Sequence, residues 1–388
     1  MTPRLLFLSH SGVLGGGERS LLDLAGGWPG EREVMVLAEG PFVAALAARG
    51  VPHRVEPLGA LGRVKRESAA PGLGAIADVA RLAARAAKRA RAVDAIYANS
   101  QKAFVVAAAA GLLARRPVVW HLRDLLTRAH FSASNIRAAV FLANARAAAV
   151  IANSEATAAA FRDAGGRAEL VHVVHNGIAA TPFDAVTDLQ CAALRASLGA
   201  GSQYVLTAVA RLAPWKGQHV VLAAAQSIPD VQVWIVGAAL FGEDAYAAGL
   251  KEQAVALGIG ERVRFLGERE EVPALLRASD LVVHCAVEAE PFGRVVVEGM
   301  LARRPVIASD AGGVREIITD GLTGWLVKPG DPVALAARVR AVRELAATPR
   351  DAVCARARAD AESRFSLAAM IGGVERAVGR VVSAGRSR

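Results

Sequence analysis

Short apolar runs separated by longer segments of helical spacing recur along the whole chain. In the first half the runs fall at 4–10, 33–39, 53–58, 95–100, 117–122, 149–154 and 169–175. Between them apolar residues sit three and four apart, as at Ile76, Val79, Leu82 and Ala83. Runs this short predict strands, and strands alternating with helices predict a parallel sheet covered on both faces. Near 179–199 the alternation breaks in a stretch with Thr181-Pro182 and scattered acids, which reads as a linker. It resumes with runs at 204–211, 231–237, 263–267, 281–286, 305–310 and 325–327. From Ser366 the spacing is helical again, through Leu367, Met370, Ile371, Val374 and Val378.

The pattern therefore predicts two doubly wound, Rossmann-like α/β domains in tandem. A length of 388 residues agrees, because one hydrophobic core rarely serves so long a chain. The expected division is 1–185, 186–365 and a terminal helix, 366–388, free to cross back to the first domain. Ligands of such sheets bind beyond the carboxyl ends of the strands, so the functional cleft is expected where the two domains face each other.

Hydrophobic residues make up 53% of the chain, which excludes a disordered protein. Cys191, Cys285 and Cys354 are too scattered for a disulfide framework or a zinc site, and imply a reducing compartment. The apolar start is too short for a signal peptide, and the apolar stretch 103–114 too short to span a bilayer. A cytoplasmic protein is expected. Of the net charge of +10, residues 1–185 carry +8, from 22 Lys and Arg against 14 Asp and Glu. That excess suits an anionic partner such as a lipid surface or a phosphorylated acceptor, although arginine on solvated faces produces it too. Arg81, Arg85, Lys88, Arg89 and Arg91 would form one basic helical face, a candidate for peripheral contact with an anionic membrane.

Four strand ends carry candidate chemistry. Glu290-Pro291-Phe292-Gly293-Arg294-Val295-Val296-Val297-Glu298 follows the 281–286 run and opens a helix of about ten residues. A helix N-terminus offers backbone N–H groups to phosphate, Gly293 lets a ligand approach the backbone, and Glu298, about two turns on, can accept from a ribose diol. Surface acids near a helix start would look the same. Arg211 and Lys216 share the loop after the 204–211 run, where two cations can clamp a diphosphate and stabilise it as it leaves. Gly15-Gly16-Gly17 follows the first run, and such a turn can cradle phosphate or be merely flexible. Trp120-His121-Leu122-Arg123-Asp124 ends the 117–122 run; a lone histidine there is more often structural, and Arg123 and Asp124 are weaker candidates for acceptor contacts.

Glu290 to Glu298, followed by 305–309, Gly312-Gly313-Val314-Arg315-Glu316 and 321–327, resembles the retaining glycosyltransferases of family 4. The Arg211-Leu212…Lys216-Gly217 element, Gly16, Gly17 and His121 fit the same resemblance, which is dense from Tyr204 to Val327 and sparse in the first half. It implies a GT-B fold, with an acceptor domain first and a donor domain second. It also implies transfer of a sugar from a nucleotide-diphosphate sugar, with retained anomeric configuration, to a saccharide, lipid-linked or small-molecule acceptor. By the resemblance Glu290 reaches the donor sugar, the amides of Phe292, Gly293, Arg294 and Val295 touch sugar and phosphate, and Glu298 holds the ribose. Arg211 and Lys216 would bind the diphosphate, Gly16 and Gly17 approach it, and His121 lies beside the sugar. No cofactor or metal is implied. Ala179 departs from the pattern, replacing the usual aspartate after Asn176-Gly177-Ile178, and Ala210 stands where many members have glycine.

Three rivals remain. A sugar-nucleotide epimerase of the same fold shares the diphosphate logic. An NAD-dependent oxidoreductase is disfavoured because Gly12, Gly15, Gly16 and Gly17 lack G-x-G-x-x-G spacing. A nucleic-acid binder is disfavoured by only 5% aromatics without aromatic-basic interleaving. Base and sugar selection is expected from the loops 237–243 and 265–268.

Overall fold

The computed structural model describes residues 2–59, 73–240 and 242–386; residue 241 of the 237–243 loop and the last two residues of the terminal segment lie outside them. The chain divides into two compact units, 1–177 with 367–388, and 178–366.

In the first unit β1 (Leu5–Ser9), β2 (Arg32–Val36), β3 (His53–Val55), β4 (Ala95–Ala98), β5 (Val118–Leu122), β6 (Ala149–Ala152) and β7 (Val171–Val173) form one sheet. Its order is 3-2-1-4-5-6-7 and every pairing is parallel. Helices α1 (Gly16–Gly27), α2 (Pro41–Ala48), α3 (Leu73–Ala90), α4 (Gln101–Ala114), α5 (Ala133–Arg146) and α6 (Glu155–Asp163) each follow one strand. Strands β1, β4, β5 and β6 are buried at every residue, which is why they read as unbroken apolar runs. On one face of the sheet Trp120 stacks on Phe104 at 4.7 Å and meets the edge of Phe161.

In the second unit α7 (Thr181–Asp184) and α8 (Asp188–Ser197) precede β8 (Tyr204–Val209). Then come α9 (Gln218–Gln226), β9 (Val231–Val236), α10 (Asp244–Ala256), β10 (Val263–Gly267) and α11 (Val272–Ala278). β11 (Leu281–His284), α12 (Arg294–Leu301), β12 (Val306–Ser309), α13 (Val314–Ile317) and β13 (Trp325–Val327) lead to α14 (Pro332–Glu344) and α15 (Ala347–Arg364). The parallel sheet runs 10-9-8-11-12-13. The last helix, α16 (Leu367–Arg386), belongs to the first unit, where Met370, Val374 and Val378 join Phe7, Trp28 and Tyr97 in its core.

Every apolar run becomes a strand, but several strands stop short of the run. Beyond β4 and β6 the residues leave the sheet to cap helices: Ser100 accepts from the Ala103 amide and Ser154 from the Thr157 amide. One reading is corrected. The 179–199 segment is not a linker but largely helical, and the second unit begins at Ile178 instead of near 186. Pro182 misled because it stands in the first turn of α7, where its missing N–H is harmless. Phe183 is buried, Ile178 donates to the Phe365 carbonyl at 2.8 Å, and both Asp184 carboxylate oxygens accept from Arg358 at 2.9 Å.

The basic face of α3 is heavily paired. Arg81 binds Asp78 and the Pro57 carbonyl, Arg85 pairs with Glu56, and Arg89 shares Glu33 with Arg54. Among the described residues no helix is long and apolar enough to cross a membrane.

Thr187 and Gln190 form a reciprocal capping box at the start of α8. Thr187→Ala should lower unfolding free energy by about 1 kcal/mol, read as a reduced urea midpoint. An unchanged midpoint would restore the linker reading.

Candidate active site

In each sheet the strand order reverses between two central strands, β1 and β4 in one and β8 and β11 in the other. The loops leaving such a pair diverge, and ligands of open α/β sheets bind there. In the second unit these loops carry Arg211 and Lys216 on one side and Glu290 on the other.

After β8 the chain stays tied to its neighbours. Leu212 donates to the Ala238 carbonyl at 3.0 Å, and the Arg211 carbonyl accepts from Gln218 at 2.9 Å. A 3-10 turn over Pro214–Lys216 ends at Gly217, which has φ 71° and caps α9. A Cβ at Gly217 would lie 1.9 Å from the Cys285 carbonyl oxygen, so only glycine lets this loop rest on the one leaving β11. Val287 donates to the Trp215 carbonyl at 2.9 Å and Cys285 Sγ lies 3.1 Å from the Lys216 carbonyl, completing the seam.

Across that seam the Lys216 ammonium binds Glu290 Oε1 directly, with both side chains largely buried. The ammonium also lies 4.1 Å from the centre of the Trp215 ring, a cation–π contact; Arg211 lies over the same ring at 5.8 Å. His284, the last residue of β11, places Nε2 3.2 Å from Glu290 Oε1, off the axis of a well-formed hydrogen bond. Burial pushes the Glu290 carboxyl up, but the Lys216 ammonium and then His284 outweigh it and hold the group well below the ordinary carboxylate range. Glu290 is thus an ionised, buried hydrogen-bond acceptor.

The backbone of Glu290 is anchored by Gly312 and Gly313. Glu290 and Gly312 form an isolated parallel bridge, and Gly313 donates to the Glu290 carbonyl at 2.9 Å. At Gly312, φ is 60° and a Cβ would meet that carbonyl at 2.2 Å. Gly293, with φ 101°, caps α12, whose free first amides and positive dipole end therefore lie at this loop. The side chain of Phe292 is core, packed edge-on against Phe365 at 5.6 Å. Val295 is half-buried in the first turn, and Arg294 Nε lies 3.6 Å from Glu298 Oε1. The helix runs eight residues, shorter than expected, and Glu298 stands just over one turn into it instead of two.

In the first unit, Gly15 caps α1, Gly16 opens it and a Cβ at Gly17 would touch only Arg123 Cδ, at 4.0 Å. Arg123 braces this end of the sheet, donating to Asn99 Oδ1 at 2.9 Å, Ser20 Oγ at 2.8 Å and Asn176 Oδ1 at 2.6 Å. His121 is buried, with Nδ1 bonded to the Tyr97 hydroxyl and no hydrogen-bond partner for Nε2 among the described residues. Burial, then Arg123, holds its pKa well below the usual histidine value, so the ring is neutral. Glu18 received no role from sequence; burial pushes its pKa up to about 7, against its backbone amide and Arg123, with Asp124 adding to the rise. His284 was missed as well, because inside the apolar run 281–286 it reads as an ordinary strand residue. Among the described residues no cluster of three His, Cys, Asp or Glu is placed to hold a metal ion.

Two Rossmann-like units, one with a buried Lys–Glu pair beside a glycine-capped helix at its switch point, define a glycosyltransferase of GT-B architecture. The chain belongs to the glycosyl transferases group 1 family: the family described as "Glycosyl transferases group 1" matches residues 192–358, and "Glycosyltransferase Family 4" matches 14–181. The crystal structure of Anabaena HepE in complex with UDP and glucose is similar at 38% identity and TM-score 0.89, covering 97% of this chain and 99% of that one. HepE in complex with UDP-glucose gives a TM-score of 0.88. The D-inositol 3-phosphate glycosyltransferase of Mycobacterium sp. (strain KMS) is 37% identical over 164 residues, 42% of this chain; the match spans only 36% of that relative's length.

Gly312→Ala should cost at least about 1–2 kcal/mol from the left-handed backbone alone and misplace Glu290, seen as a lower melting temperature. Glu18 binds its proton more tightly folded than unfolded, so its contribution to stability falls as pH rises from about 4.5 to about 7. Glu18→Gln should flatten that part of the stability–pH curve; identical curves would contradict the assignment.

Proposed function

We propose that this chain is a retaining glycosyltransferase that moves glucose from UDP-glucose to a saccharide or lipid-linked acceptor. The observation that carries the reading is the buried Lys216–Glu290 pair beside the Gly293-capped start of α12. The HepE complexes with UDP and UDP-glucose support the choice of donor.

In this reading Lys216 and Arg211, with the dipole end of α12, stabilise the negative charge that grows on the departing diphosphate. Glu290 accepts hydrogen bonds from hydroxyls of the donor sugar, and Glu298 from the ribose diol. The amides of 292–295 approach sugar and phosphate. The first unit takes the acceptor, with Gly16 and Gly17 at its glycine-rich turn and His121 beside the reacting sugar. A front-face route, in which the leaving diphosphate assists removal of the acceptor proton, needs no nucleophilic carboxylate. Three buried free thiols fit a cytoplasmic protein. Contact of α3 with an anionic membrane would compete with the ion pairs to Asp78, Glu56 and Glu33.

Incubation with UDP-glucose should release UDP, slowly to water and faster with the right acceptor, and the glucoside should keep the α configuration. Lys216→Ala should lower turnover about 10²–10³-fold, as loss of one charge-stabilising donor does elsewhere. Turnover unaffected by Lys216→Ala, or a β-configured product, would overturn the clamp or the retention respectively.

A further inference from the structure

The Lys216–Glu290 pair poses a problem that its own geometry answers. A diphosphate that draws the Lys216 ammonium toward itself takes away the main partner of a carboxylate buried to 6% exposure. A buried carboxylate left with no donor would take up a proton or turn away, and either change spoils it as an acceptor for sugar hydroxyls. Among the described residues His284 is the other side chain within reach, its Nε2 3.2 Å from the oxygen that Lys216 binds.

We infer that His284 is a positioning residue that holds the Glu290 carboxylate in its sugar-binding orientation while Lys216 serves the diphosphate. The inference rests on the donor site proposed above. His284 ends β11, whose Val282, Val283 and His284 pair with Val306, Ile307 and Ala308 of β12, so its backbone is fixed by the sheet. Its carbonyl also lies 3.4 Å from Ser309 Oγ. The side chain is 5% exposed, and neither ring nitrogen has a well-formed hydrogen bond among the described residues, although Nε2 lies 3.2 Å from Glu290 Oε1. Nε2 is the ring nitrogen that faces Glu290, and an N–H there can be donated to Oε1. The next residue ties the same strand end to the Lys216 loop, through Cys285 Sγ and the Lys216 carbonyl. One strand end therefore registers both partners of the carboxylate.

The test is calorimetric titration of the full chain with UDP and with UDP-glucose, for the wild type, His284→Phe, His284→Gln and His284→Asn. A glutamine amide reaches about as far as Nε2, whereas an asparagine amide falls short at the place of Nδ1. His284→Phe and His284→Asn should weaken UDP-glucose binding about tenfold or more, the worth of a hydrogen bond to a charged group. His284→Gln should restore it to within about threefold, and UDP, which offers Glu290 no sugar, should bind all four alike. A role in packing alone predicts something different: the asparagine and glutamine variants would behave alike, or UDP and UDP-glucose would weaken together. Either result overturns the inference, as does a phenylalanine variant that binds UDP-glucose normally; if it does not fold, the Gln–Asn comparison decides. A wild type that binds neither nucleotide overturns the donor reading itself.

Discussion

A carboxylate taken out of water needs a cation, and the Lys216 ammonium is the cation that lets Glu290 remain ionised inside the second unit. The loops following β8, β11 and β12 meet around the contact. The two residues are far apart in sequence and meet because the strand order reverses between β8 and β11. Breaking one side of such a buried pair typically costs about 3–5 kcal/mol, since the other charge is left stranded. A pair this costly to keep is weak evidence of stabilisation and better evidence of use. In the proposed reading that use is a cation for phosphate and an anion for hydroxyls, side by side.

The backbone makes the pair possible. Gly217 lets the Lys216 loop lie on the Cys285 carbonyl, and Gly312 lets a second loop lie on the backbone of Glu290. Both positions have left-handed φ as well as no room for a Cβ, so shape and conformation select glycine independently. The first unit uses side chains for the equivalent task. There Arg123 gathers Asn99, Ser20 and Asn176 beneath the glycine-rich turn, and a neutral His121 is held by Tyr97. Arg123 thus braces the strand ends.

Much of the fold was legible because strands buried on both faces leave unbroken apolar runs, and each run became a strand. What misled was local. Pro182 and its neighbours look like a linker, yet proline in the first turn of a helix is no obstacle, and Phe183 and Asp184 fasten the segment to the second unit. The position of the Lys216 and Glu290 loops at strand ends was legible from the apolar runs that precede them. Direct pairing of Lys216 with Glu290 was not, because nothing in the sequence brings two loops 74 residues apart into contact. His284 and Glu18 were invisible for a simpler reason: their significance lies in burial and neighbours 6 to 106 positions away, such as Glu290 and Asp124. Arg81, Arg85, Lys88 and Arg89 do lie on one helix, with Arg91 just past its end, but spacing says nothing of Glu33, Glu56 and Asp78, which occupy much of its charge.

The central claim is that Lys216, Glu290 and the start of α12 converge on one sugar nucleotide. A crystal structure of the chain with UDP-glucose tests it most directly. The account predicts the diphosphate within hydrogen-bonding distance of Lys216 and the first amides of α12, with a glucose hydroxyl donating to Glu290. A nucleotide seated away from residues 211–216 and 290–298 would contradict it.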